Sequence, residues 1–303
     1  MSMLRAKCWP LLWLLCTYAS AVVADVSCEE HDFHATQFLQ MTSILNAELH
    51  SPLKPWDVHY YLGVAYHKAG TYLMIQVWQS IFHALGAKPL IDMGQWDQPC
   101  YPGTCYAPDA PIQVWIDLYS PAKAQKAREA AGERGLRVAG FVRDPVSMIV
   151  SAYCYHHRGK ELWNFVENPQ GIVAQMGPLE GLTFEAQRML PVVKNMTGIF
   201  EHPANDTLRL DYERTTASSD GFDSEMVKLI GFLFEDLISA EERAEVLNAT
   251  QRADLNRHPA NDDDNHSNDP DCKARTREYV PAMPSDLLGQ YRSFQQRLGY
   301  APS

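Results

Sequence analysis

The sequence predicts an α/β fold, a central parallel sheet flanked by helices. Three observations carry that prediction. Residues 58–66 (VHYYLGVAY) are aromatic and β-branched over the length of a buried strand. They pass through a short turn into Leu73, Val77, Trp78, Ile81, Phe82 and Leu85, spaced by threes and fours as on an amphipathic helix. Residues 136–142 (LRVAGFV) repeat the pattern, leading into a helix with Asp144 as N-cap and Pro145 as first helical residue.

In chain order, residues 25–57 hold a short amphipathic stretch (Phe38, Leu39, Met41, Leu45) and a Pro-containing lead-in. After the first strand, Gly86 stops the first helix. Residues 88–93 (KPLIDM) read as a short strand, 94–111 as a Gly/Pro/Cys loop and 112–118 (IQVWIDL) as a further strand. Ser120 and Pro121 open the next helix by N-cap and first-turn proline, and Gly135 closes it. Residues 207–213 (TLRLDYE) read as a later strand, with helical patterns at 222–235 and 239–250. Residues 256–271 are polar and acidic, a solvated loop that lacks the D-x-[DN]-x-[DN]-G spacing of an EF-hand. Cys272 to Arg277 form a basic segment ahead of a closing helix.

The chemistry sits in the two strand-to-helix turns. His67-Lys68-Ala69-Gly70-Thr71 follows the first strand. Such a turn aims free backbone N–H groups and the positive end of a helix at one point, and that point binds phosphate or a similar anion. Lysine precedes the only glycine, so the G-x-x-x-x-G-K-[ST] loop of nucleotide triphosphatases is absent. The turn resembles the 5′-phosphosulfate loop of sulfotransferases, K-x-G-T-[TS], with Tyr72 in place of the last hydroxyl. Arg143-Asp144-Pro145 followed by Ser151 and Tyr153 resembles the R-D-P-x-x-x-x-x-S-x-Y element with which the same superfamily holds a 3′-phosphate. Arg143 and Ser151 stand about 12 Å apart along a helix, so they meet one anion only if the arginine reaches along the helix side.

The chain therefore resembles the sulfotransferase superfamily, closer to its secretory carbohydrate branch than to its cytosolic one. That resemblance implies a P-loop-like nucleotide-binding architecture and 3′-phosphoadenosine-5′-phosphosulfate (PAPS) as donor. It implies metal-independent in-line transfer to an acceptor hydroxyl, on a glycan or another acceptor. Lys68 would stabilise the leaving phosphate oxygen, with Ala69, Gly70, Thr71 and Tyr72 in the 5′-phosphate loop and Arg143 and Ser151 on the 3′-phosphate. The basic segment 272–277 resembles the place of further 3′-phosphate contacts, and a solvated basic turn is the other reading. The family takes its base from a strand end, and Asp92 and Asp117 occupy the corresponding positions, where glutamate or histidine is usual. Each could equally accept loop N–H bonds.

The rest of the chain fits that setting. Its 303 residues suit one large domain or two small ones, and 46% hydrophobic content allows a sizeable core. Arg5 and Lys7 precede an apolar run from Cys8 to about Ala19 and then the small-residue stretch ASAVVA, a signal-peptide pattern with its cut near Ala24. The run is shorter than the ~20 residues of a membrane span. A signal-anchor is the alternative, and only then would a membrane be a partner. Residues 25–303 would form one sulfotransferase-like domain in the Golgi lumen or secreted. Sequons at Asn195, Asn205, Asn248 and Asn265 agree with the secretory route.

Signal removal leaves Cys28, Cys100, Cys105, Cys154 and Cys272. Cys100 and Cys105 flank a turn sequence and suit a small disulfide loop better than zinc; Cys154 reads as a buried thiol. A net charge of −11 argues against a nucleic-acid partner and against a broad cationic groove, but allows a local basic pocket. The other function classes are a phosphate-transferring nucleotide enzyme, whose longer loop is missing, and a secreted glycan-binding protein that keeps the fold without catalysis.

Overall fold

The computed structural model describes residues 53–92, 110–158, 171–259 and 269–302, with the backbone alone at Asp92. They fall within one compact unit, Leu53–Ser303. The amino-terminal signal pattern, Cys100, Cys105 and the sequon at Asn265 lie outside the described residues.

Five strands form one sheet: β1 (Tyr60–Ala65), β2 (Leu90–Asp92), β3 (Ile112–Ile116), β4 (Leu136–Val142) and β5 (Thr207–Asp211). Their order is β2-β3-β1-β4-β5 and every pairing is parallel. Central β1 is in register with both neighbours, Val64 lying opposite Trp115 and Gly140. β1, β3 and β4 are buried almost throughout, as parallel strands covered on both faces must be.

Alternation of side chains along each strand then sorts the core into two layers. Leu62, Val64, Trp115, Val138 and Val142 face α2 (Pro121–Ala131), α3 (Pro145–His157) and α4 (Pro178–Phe200), and through them the last helix, α9 (Ser285–Arg297). Tyr61, Ala65, Val114, Ile116, Ala139, Phe141 and Leu210 face α1 (Thr71–Ala84), α6 (Ser219–Phe234) and α7 (Ala240–Thr250). The first layer fits because residue 140 is glycine. A Cβ there would stand 2.5 Å from Val64 and 2.6 Å from Phe200.

The local signals translate directly. Ser120 caps α2 by accepting from Lys123 N–H, and Asp144 caps α3 by accepting from Val146 and Ser147 N–H. Gly86, at φ 78°, stands just beyond α1. Two elements differ from expectation, the strand at 207–213 and the basic segment 272–277. The strand at 207–213 stops at Asp211, because that carboxylate accepts from Arg214 N–H and caps α5 (Tyr212–Ala217); Glu213 is therefore helical. The longest described helix, α4, carries Pro191 in its interior, where proline is ordinarily disfavoured. Its ring is tolerated because Pro191 faces solvent, while Leu182, Ala186, Met189, Val193 and Phe200 form the buried stripe.

Cys154 is not a thiol. Packing of α8 (Pro270–Arg277) on α3 brings its Cα within 5.8 Å of that of Cys272, and the two sulfurs form a disulfide. The basic segment is thus a helix, N-capped by Asp269 and tied to the Arg143 helix. Of the described sequons, Asn195 lies within α4, Asn248 within α7 and Asn205 on the exposed turn before β5. Among the described residues no helix is long and apolar enough to cross a membrane.

Candidate functional site

β1 and β4 are neighbours whose following helices leave toward opposite faces of the sheet. The carboxyl ends of such a strand pair open a crevice where α/β sheets bind ligands. The two turns marked in the sequence meet there.

After β1 the chain closes a tight turn, Ala69 N–H donating to Tyr66 O at 2.8 Å. Lys68 takes φ 62° and Gly70 φ 95° before α1 begins. A Cβ on Gly70 would stand 2.9 Å from the Tyr212 ring, so glycine is required by both backbone and space. A left-handed lysine carries a cost of order 1 kcal/mol, and the surroundings hold it. Arg143 Nη1 donates to Lys68 O at 2.6 Å, and Asp117 Oδ1 accepts from His67 N–H at 2.6 Å. Thr71 Oγ1 turns back to Tyr66 O at 3.3 Å. Ala69 is buried, and Tyr72 is exposed on the first turn of α1.

Arg143 does reach along its helix. Its Nη1 is 3.3 Å from Ser151 Oγ, and its guanidinium lies 4.6 Å over the Tyr212 ring. One buried arginine thus joins the β1 turn to α3. α8 adds two cations that the sequence marked only loosely. Arg277 Nη2 donates to Ser147 Oγ at 2.6 Å. The Lys273 ammonium is pulled down to about 8, by burial first and then by Arg143 and Arg277. Crowded cations of this kind are relieved by an anion among them.

Further side-chain contacts fix the start of α3. The Asp144 carboxylate accepts from Ser147 Oγ (2.6 Å) and from Gln295 Nε2 (2.7 Å). Its backbone N–H donates to Glu213 Oε1, and Tyr300 hydroxyl lies 2.9 Å from Glu213 Oε2. Tyr300→Phe should lower stability by about 1–2 kcal/mol, since a carboxylate loses its donor. Urea denaturation checks this; an unchanged midpoint would show that the chain end plays no part in holding α3.

Asp117 stands just beyond β3 at φ 56°. Burial pushes its carboxyl up to about 7, opposed by the His67 N–H and by Arg188. Its Oδ2 is closed off from solvent without a hydrogen-bond partner. The His67 ring stacks on His156 at 5.2 Å, and His156 Nδ1 meets Glu185 Oε1 at 2.6 Å. Burial, then His156 and Lys68, holds His67 well below the ordinary histidine range. Burial also lowers His156, with Glu185 opposing. Glu185 stays below the usual carboxylate range despite burial, through His156 and Arg188. Two imidazoles thus back the turn, each held below the ordinary histidine range.

Asp92 ends β2 opposite Trp115, on the edge strand. Two strand spacings, about 10 Å, separate that backbone from β1. Lys68, Gly70, Arg143, Ser151 and Asp117 are thus brought to one place, and the Asp92 backbone is not. His83 lies down α1 in a separate groove with Glu245 and Arg252.

No family model matches the chain, and no curated protein matches it.

Proposed function

We propose that the protein is a sulfotransferase that moves the sulfuryl group of PAPS to an acceptor hydroxyl, on a glycan in the Golgi lumen or outside the cell. The observation that carries this reading is Arg143 bridging Ser151 and the backbone of Lys68. It joins the two motif-bearing turns at the crevice of a parallel sheet, as a donor with phosphates at both ends requires.

In this reading the loop N–H groups, the start of α1 and the Lys68 ammonium bind the 5′-phosphate. Arg143 and Ser151, with Lys273 and Arg277 beside them, bind the 3′-phosphate. The depressed Lys273 ammonium supports that assignment, since three cations around two buried hydroxyls suit a dianion. Asp117 takes the acceptor proton; a carboxyl lifted to about 7 has the basicity for it near neutral pH. As the acceptor oxygen bonds to sulfur, the bond from sulfur to the 5′-phosphate oxygen breaks. Lys68 stabilises the charge left there. The P-loop-like architecture belongs to the same proposal, and the disulfide is compatible with an oxidising lumen. The Asp117 contact to His67 N–H favours the second reading, a glycan-binding protein in which this carboxylate only shapes the loop.

Calorimetric titration of the full chain with adenosine 3′,5′-bisphosphate, in chelator, tests the donor site. The wild type should bind, and Lys68→Ala should weaken binding about tenfold, as loss of one charge-assisted contact implies. No binding by folded wild type overturns the reading.

A further inference from the structure

Ser147, Ser151 and Tyr155 recur every four residues, so they stand on one face of α3. Each meets a different cation. Arg277 donates to Ser147 Oγ at 2.6 Å, Arg143 lies 3.3 Å from Ser151 Oγ, and Lys68 Nζ sits 3.5 Å above the Tyr155 ring centroid. The motif resemblance pointed to Tyr153, which turns elsewhere. Its hydroxyl goes to Met176 O and its ring would block a side chain on Gly181.

We propose that Tyr155 is a positioning residue of the site, a ring platform that sets where the Lys68 ammonium sits. The proposal rests on Lys68 serving the sulfate donor and adds a residue to that role. The backbone of Lys68 is fixed by Arg143, but a lysine ammonium ends four rotatable carbons away and needs its own seat. Tyr155 can provide one because it cannot swing. It is buried, and it lies edge-on to His156 at 5.4 Å, which Glu185 holds in turn. The π face attracts the ammonium electrostatically. Arg158 also lies over this ring, at 4.9 Å, so the platform is shared between two cations. One helix face would then order both halves of the donor site, Ser151 serving the 3′ half and Tyr155 the 5′ half.

Two measurements test it. The first is the rate of Lys68 acetylation by acetic anhydride, read by mass spectrometry without nucleotide. Tyr155→Leu should raise that rate about threefold or more, and Tyr155→Phe should leave it near wild type. If Tyr155→Leu does not fold, phenylalanines with one to three ring fluorines at position 155 weaken the π face at nearly constant shape. The rate should climb with each fluorine, and a flat series overturns the proposal. The second is a double-mutant cycle on adenosine 3′,5′-bisphosphate affinity. Tyr155→Leu should weaken binding about fivefold with Lys68 present and have no effect in Lys68→Ala. An equal loss in both backgrounds makes Tyr155 merely structural and overturns the proposal. If folded wild type binds no bisphosphate, the donor reading fails, and acetylation alone then decides whether Tyr155 seats Lys68.

Discussion

Arg143→Ala should weaken adenosine 3′,5′-bisphosphate binding about a hundredfold while costing adenosine 5′-monophosphate under about fivefold. The guanidinium is buried and planar, and it sits among Ser151, Tyr212 and the Lys68 carbonyl. Charge-assisted hydrogen bonds to phosphate from such a group are worth roughly 1.5–3 kcal/mol, and about 1.4 kcal/mol is a tenfold change in affinity. The smaller loss for the monophosphate has a separate cause: without Arg143, Lys68 O loses its donor and the strained turn relaxes. Arg143→Lys should recover little, because a point charge cannot serve hydroxyl, carbonyl and ring at once. Calorimetry with both nucleotides, beside thermal unfolding of each variant, reads the split. Equal losses for the two nucleotides would mean that Arg143 acts only through the turn, and the 3′-phosphate assignment would fall.

How far the site could be read in advance follows from how local its determinants are. Asp144, Pro145, Ser120 and Gly70 act on their own neighbours, and each does in the fold what its chemistry implies. β-Branched and aromatic runs on three strands likewise announced a sheet covered on both sides. What escaped depends on distance along the chain. Cys154 finds its partner 118 residues away, and nothing near either cysteine signals the pairing. Lys273 and Arg277 join Arg143 only because α8 packs on α3. The choice of Tyr155 over Tyr153 turns on which face of α3 meets the β1 turn, which neither residue type encodes. The end of β5 escaped for the opposite reason: the strand pattern runs on to Glu213, but the Asp211 carboxylate caps α5 and stops the strand.

Asp117→Asn should abolish transfer and at the same time stabilise the protein at alkaline pH. Asparagine keeps an oxygen for His67 N–H, tolerates φ 56° better than most residues, and carries no charge to bury. The sign follows from proton counting. Burial raises the folded carboxyl from 3.8 to about 7, so between those values the folded state binds more protons than the unfolded one. The aspartate protein therefore loses stability as pH rises through about 7, and asparagine does not. The variant should gain about 2–4 kcal/mol at pH 8, and the gain should shrink steadily to near zero by about pH 4. Acidification also charges His67 and His156, whose folded forms resist protonation, so both proteins weaken below the ordinary histidine range. The difference between the two proteins, read by urea denaturation at several pH values, isolates residue 117. Adenosine 3′,5′-bisphosphate binding should survive the substitution, because the contact from Asp117 to the turn is the one to His67 N–H, which an asparagine oxygen keeps. A variant that is less stable at pH 8 would show Asp117 ionised and acting as a loop anchor. That result would remove the base from the proposed reaction and favour the non-catalytic reading of the same fold. Stabilisation with loss of transfer would instead mark a carboxylate kept at a cost to stability because the chemistry needs it.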